Sequence, residues 1–173
     1  MSRLRGFFPD YQLPTVYDLS PGWVKAQGFQ GLILDIDNTL VSPNAPADER
    51  ACAFAKEMRE AGISLLVLSN NSRNRAASFA EKLGCSYIAE AKKPRPQGFL
   101  KGAKLLGMDP SALLAVGDQL LTDVYGAHRA GMKCLLVDAL DPAHEQPFVR
   151  VKRILEKPVL RAYRKSRSQS SGK

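Results

Sequence analysis

Cysteine and histidine are scarce in this chain. Three cysteines (Cys52, Cys85 and Cys134) and two histidines (His128 and His144) are spread over 173 residues. No Cys-x-x-Cys pair and no Cys/His cluster occurs, which argues against a zinc site or a disulfide framework. A reducing, cytoplasmic setting fits that usage. Long hydrophobic runs are missing too: nothing approaches the roughly 20 apolar residues that a membrane-spanning helix needs. The N-terminal stretch Met1-Ser-Arg-Leu-Arg-Gly-Phe-Phe-Pro-Asp10 is basic but has no signal-peptide apolar core.

What is present suits one soluble α/β domain. Hydrophobic residues make up 45% and charged residues 24%, an ordinary globular balance. The net charge of +8 is unevenly placed. Nine of the 25 Lys and Arg, but only Glu156 of the 17 acids, lie between Arg150 and Lys173. The body is therefore neutral and the C-terminal stretch carries the whole excess. Such a stretch fits an anionic partner, lipid or nucleic acid, or a solvated terminus.

Apolar runs alternate with helical patterns along the chain. Strands are expected at 32–36, 63–68, 86–89, 112–116 and 133–137, with helices between them, which predicts a parallel sheet covered on both faces. Ser20-Pro21 and Asp48 read as helix starts. Residues 147–165 form a basic amphipathic helix with an apolar stripe of Phe148, Val151, Leu155, Val159 and Tyr163. Pro158 should kink or divide it, and residues 166–173 should be disordered. The N-terminal segment 1–28, with Phe7 and Phe8, packs on the domain or touches a membrane interface.

The stretch Gly31-Leu-Ile-Leu-Asp-Ile-Asp-Asn-Thr-Leu40 draws the chemistry together. A buried parallel strand ends there in two acids, Asp35 and Asp37, at the sheet edge where α/β folds place their sites. Paired acids at such a place call for a cation. Further polar clusters follow the next strands: Ser69-Asn70, Lys92-Lys93-Pro94, and Gly117-Asp118 with Asp123. Carboxylates, a hydroxyl, an amide and an ammonium on one edge suit phosphoryl transfer with a divalent metal. Oxygen-only ligands favour Mg²⁺ over zinc. Taken singly, Ser69 is a turn residue or cap and Asp123 a helix cap. Arg73 and Arg75 form a solvated helix face or meet an anionic substrate.

Asp35-x-Asp37-x-Thr39, Ser69, Lys93-Pro94 and Gly117-Asp118-(x4)-Asp123 resemble, in order, the four motifs of the haloacid dehalogenase superfamily of phosphatases. The resemblance covers roughly residues 30–140. It implies a Rossmann-like three-layer sandwich with a five-stranded sheet in the order 5-4-1-2-3, and a core at 29–146. By position, Asp35 would be the nucleophile and metal ligand. Asp37 would be the general acid/base, its backbone carbonyl toward the metal. Asp118 would complete the Mg²⁺ site, with Asp123 supporting it. Ser69 and Asn70 would hold the phosphoryl group, and Lys93 would neutralise its charge, with Lys92 as rival.

The gaps between motifs hold one helix each, so no cap domain is expected. The N-terminal aromatics, Val16-Tyr-Asp-Leu-Ser-Pro21 and the basic C-terminal helix are similar to the YqeG family, whose relatives include phosphatidylglycerophosphate phosphatases. That implies a lipid substrate, phosphatidylglycerophosphate, and peripheral contact with an anionic membrane through the basic helix. Two alternatives stand beside it. One is a phosphatase of soluble nucleotides or sugar phosphates. The other is an RNA- or ribonucleoprotein-binding module with incidental phosphatase activity.

Overall fold

The computed structural model describes residues 6–170, with side chains through Ser166. A six-stranded sheet is its centre, and every pairing in it is parallel. The strands are β1 (Tyr11–Leu13), β2 (Gly31–Leu34), β3 (Ser64–Leu68), β4 (Ser86–Ile88), β5 (Leu113–Gly117) and β6 (Lys133–Val137). Their spatial order is β1-β6-β5-β2-β3-β4. This corrects the expected five-stranded order. The five anticipated strands keep their succession, but Tyr11–Leu13 adds a sixth at the edge, with Tyr11 opposite Leu135. Three residues between Pro9 and Pro14 carry no apolar run, so the strand exists only because the edge of β6 offers it partners.

The helices are α1 (Pro21–Ala26), α2 (Glu49–Glu60), α3 (Arg73–Leu83), α4 (Pro96–Leu106), α5 (Tyr125–Arg129) and α6 (Pro147–Ser170). Local chemistry sets several of their ends. Ser20 accepts from the Trp23 N–H at 3.2 Å ahead of Pro21. Asp48 accepts from the Ala51 N–H at 2.8 Å. α3 and α4 stop at Gly84 and Gly107, both left-handed, a conformation glycine enters without steric cost.

Alternation along the strands divides the core. Leu32, Leu34, Leu65, Val67, Leu114 and Val116 join the cluster that includes Ala51, Phe54 and Phe79 of α2 and α3. Ile33, Leu66, Leu68, Leu113 and Ala115 face the other way, with Phe99, Ala127 and Val159 of α4, α5 and α6. Period-two alternation in strands buried on both faces produces this division. The two layers of helices fix the sheet, and its carboxyl edge is left for polar residues.

The C-terminal region departs from expectation in three ways. α6 runs through Pro158 to Ser170 as one helix, so 166–170 are helical, and 171–173 lie outside the described residues. Pro158 is exposed, and the carbonyl it deprives of a donor belongs to exposed Ile154. The predicted single stripe is also split. Val159 and Tyr163 are buried against the domain, whereas Phe148, Val151, Ile154 and Leu155 are exposed. Phe7 stacks on Tyr125 at 4.4 Å and Phe8 meets Tyr163 edge-on at 5.5 Å, so the N-terminal aromatics pack on the domain. His128 serves the same end, bonding the Gly6 carbonyl and the Asp10 carboxylate, each at 2.8 Å. Among the described residues, no helix is long and apolar enough to cross a membrane.

Candidate active site

Parallel register decides which residues meet. Leu34 lies opposite both Val67 and Val116. The residues that follow these strands, Asp35, Ser69 and Asp118, therefore emerge at one edge. Asp35 stays tied to the sheet by its N–H bond to the Val116 carbonyl at 3.0 Å. Beyond β5 the chain makes a π-helical turn, Leu120–Val124, which folds Asp123 back over Gly117. A Cβ at Gly117 would lie 2.3 Å from Asp123 Cγ, so only glycine admits that carboxylate.

Asp35, Asp118 and Asp123 each offer a carboxylate oxygen, and the three oxygens lie within 4.8 Å of one another. All three residues are buried. Lys93 Nζ joins two of them, donating at 2.6 Å to Asp35 Oδ1 and at 2.6 Å to Asp123 Oδ1. Its loop is held by Asn70, whose Oδ1 accepts from the Lys93 N–H at 2.8 Å. Ser69, buried beside them, accepts from the Asn71 N–H at 3.1 Å. The third acid has a different cation. Arg153 of α6 donates to the Asp118 carbonyl at 2.9 Å and also to its carboxylate, and its Nε reaches Glu145 Oε1 at 2.8 Å.

Electrostatics follow from this burial. Desolvation pushes the Asp35 carboxyl up to about 7; Lys93 opposes the rise, and Asp123 and Asp37 add to it. Asp118 is raised well above the carboxylate range by burial first and by Asp35 and Asp123 next, with Arg153 opposing. Burial disfavours the Lys93 ammonium, but Asp123 and Asp35 outweigh it and its pKa rises. Asp35, Asp118, Asp123 and Glu145 are four buried acids with only Lys93 and Arg153 between them, and are short of positive charge. That deficit, with oxygen donors only, fits a hard divalent cation.

Asp37 stands apart. Its carboxylate is outside the three-acid cluster and accepts from Arg75 Nη2 at 2.6 Å, Asn71 Nδ2 at 2.5 Å and the Asn44 N–H at 2.9 Å. Asn38 next to it takes a left-handed φ of 63°, tolerated by asparagine. It braces the loop after β6 by donating to Glu145 at 2.8 Å and accepting from the Asp141 N–H at 2.8 Å. A cavity of ≈ 370 Å³ spans Asp35, Asp37, Ser69 and Lys93 on one side and Phe148, Val149 and Lys152 of α6 on the other.

The expected residues Asp35, Ser69, Asn70, Lys93, Asp118 and Asp123 thus surround one sheet edge, with Asp37 on the cavity's flank. Lys92 has a left-handed φ of 54°, and it is Lys93 whose ammonium meets the acids. Asp123, expected to support the site, is itself a member of the acid cluster alongside Asp118. Sequence reading missed Arg153 and Glu145 and left Arg75 undecided. Arg75 lies in the first turn of α3, directly after the Ser69–Asn71 loop, so its proximity to the site was legible. Arg153 gave no such signal: only the return of α6 across the sheet edge brings it in.

A domain with an all-parallel sheet, acids at its carboxyl edge and a lysine between them defines a class, and comparison gives it a name. Residues 44–131 match the family described as haloacid dehalogenase-like hydrolase, and this chain belongs to it. It is 34% identical over 92% of its length to the "probable phosphatase YqeG" of Bacillus subtilis, covering 92% of that protein. A more distant relative is phosphatidylglycerophosphate phosphatase 1 (chloroplastic/mitochondrial) of Arabidopsis thaliana. The two are 28% identical over 81% of this chain and 43% of that one. Among solved structures, D,D-heptose 1.7-bisphosphate phosphatase from B. bronchiseptica, complexed with magnesium and phosphate, is similar in fold. Its TM-score is 0.52 at 18% identity, over 62% of this chain and 80% of that one. The chain is a phosphatase of this family, a phosphoric monoester hydrolase.

Proposed function

We propose that the chain is a Mg²⁺-dependent phosphomonoesterase that works through an aspartyl-phosphate, with phosphatidylglycerophosphate as substrate. The observation that carries the mechanism is the separation of the two motif aspartates. Asp35 sits in the dry acid cluster against Lys93, whereas Asp37 is held outside that cluster by Arg75, Asn71 and Asn44. That separation supports attack by the first carboxylate and proton transfer by the second.

Asp35 would hold the ion together with Asp118 and Asp123. Mg²⁺ supplies positive charge that lets an anionic phosphoryl group approach buried carboxylates. Asp35 attacks phosphorus and forms the acyl phosphate while the bond to the leaving oxygen breaks. Asp37 gives that oxygen a proton, then takes one from the water that hydrolyses the acyl phosphate. Lys93 balances charge on Asp35 and the phosphoryl oxygens, and Ser69 donates to one of them. Arg75 orients Asp37, and Arg153 orients Asp118.

The lipid reading is supported by the likeness to the Arabidopsis protein, of which this chain spans less than half, and by the uncovered cavity. A single helix separates β2 from β3, and one long helix lies between Lys93 and β5, so no inserted domain closes over the headgroup. A phosphate-release assay with phosphatidylglycerophosphate beside soluble nucleotides and sugar phosphates tests it. Preference for the lipid supports the substrate; preference for a soluble ester replaces it and leaves the mechanism standing.

A further inference from the structure

Four large apolar side chains at the start of α6 face outward, although the same helix buries Val159 and Tyr163, about one and two turns past Leu155. Phe148 and Val151 are 57% exposed, Ile154 60% and Leu155 61%. At 3.6 residues per turn they share an arc of about 120°. Exposed Arg150, Lys157 and Arg161 flank that arc on one side, and Lys152, which lines the cavity, flanks it on the other.

This face is held in a fixed relation to the acid cluster. The opposite side of the helix is pinned by Arg153 to Asp118 and Glu145, and by Glu156, whose Oε1 accepts from the Leu121 N–H at 2.9 Å. Phe148 belongs to both the stripe and the cavity wall. The apolar face therefore begins at the mouth of the cavity and extends away from it.

We infer that the stripe Phe148–Val151–Ile154–Leu155 is a docking surface for an anionic lipid bilayer, which brings the cavity mouth to the headgroup plane. A helix with an apolar face flanked by cations lies in such an interface, its hydrocarbon at the headgroup–acyl boundary and its charges among anionic headgroups. A second copy of the chain is the weaker occupant. Four side chains a little over half exposed make a patch of a few hundred Å², below the roughly 800 Å² per partner of a stable interface. The flanking cations would also face each other across a twofold contact. The inference rests on the phosphomonoesterase reading only for what docking achieves.

Co-sedimentation of the full chain with vesicles tests it, because binding is read without turnover. The wild-type protein should partition onto phosphatidylglycerol-containing vesicles at least ~10-fold better than onto pure phosphatidylcholine. The triple variant Val151→Ser/Ile154→Ser/Leu155→Ser should lose at least ~10-fold of that binding. It should keep soluble aryl-phosphate turnover within about twofold, as surface changes usually do. Changing Leu100→Ser/Leu105→Ser, the exposed apolar pair on α4, should leave vesicle binding intact. Should the triple variant fail to fold by circular dichroism, Leu155→Glu alone carries the comparison.

Equal wild-type binding to both vesicle types, or a triple variant that binds as wild type does, overturns the proposal. A wild-type dimer that the triple variant dissociates, without vesicle binding by either, assigns the face to a second copy and overturns it too. Vesicle binding by a wild-type protein that hydrolyses no phosphoester supports the docking face while removing the catalytic reading.

Discussion

The carboxyl end of the sheet and the outer face of α6 are inversions of each other. At the sheet end, Asp35, Lys93, Asp118 and Asp123 are all less than one-tenth exposed. On α6, in the turns to either side of Arg153, four large hydrocarbon side chains are more than half exposed. Folding alone favours the opposite arrangement in both places. Most of the chain obeys the usual rule, with Leu, Val, Ile and Phe between the layers and Leu100 and Leu105 of α4 as exposed exceptions. The two regions adjoin one cavity, and Arg153 ties one to the other. The lesson is that burial of charge and exposure of hydrocarbon are costs accepted where a ligand is to be met.

That contrast can be broken from either side, and the sheet end should give the largest effects. Asp35→Asn should lower phosphate release from an aryl phosphate by at least about 10³-fold; a variant keeping a tenth of the activity would remove Asp35 from the mechanism. Lys93→Ala leaves Asp35 and Asp123 buried without their cation, which should cost about 3–5 kcal/mol in urea unfolding of the metal-free protein. Arg153→Ala should cost about 2 kcal/mol, since it strips donors from buried Asp118 and Glu145. The exposed Lys157→Ala on the same helix should change stability by no more than about 0.5 kcal/mol. Equal losses for the two would mean that α6 is not latched to the site.

A pH and metal series sharpens the comparison further. The Asp35 pKa is raised by folding, so between its ordinary 3.8 and about 7 the folded state holds more proton than the unfolded chain. Stability of the metal-free protein should therefore fall as pH rises through that window. Mg²⁺ should raise Tm by a few degrees near pH 8 and by less near pH 5, where protons compete for the carboxylates. A shift independent of pH would separate the bound ion from these acids. The smallest effect belongs to the outer face: Leu155→Ser should move stability by no more than about 0.5 kcal/mol. Val159→Ala, four residues on and buried, should cost about 1 kcal/mol.

Much of the fold was legible because apolar runs and their stop signals are local. Leu32–Leu34, Leu65–Leu68 and Leu113–Val116 are continuous enough to be strands wherever they pair, and glycine at 84 and 107 ends helices by itself. Tyr11–Leu13 was not legible: a three-residue edge strand has no period of its own and is made by its neighbour. The stripe on α6 misled for a related reason. Helical spacing puts Phe148, Val151, Leu155 and Val159 on one side of a wheel, but the domain covers only part of the helix's length, so burial changes partway along it.

The sequence by itself determined the parallel α/β architecture and the residues at its strand ends, because strand polarity carries Asp35, Ser69 and Asp118 to one edge. It also determined that glycine stands at 117, where Asp123 must fold back. Tertiary structure alone decided which charges meet: Lys93 between Asp35 and Asp123, Arg75 on Asp37, and Arg153 on Asp118. Those partners come from 30 to 58 residues away in the chain. Contact over such separations is set by the packing of whole elements, which no local pattern encodes. For the same reason, only the packed molecule could leave one half of α6 bare beside the cavity.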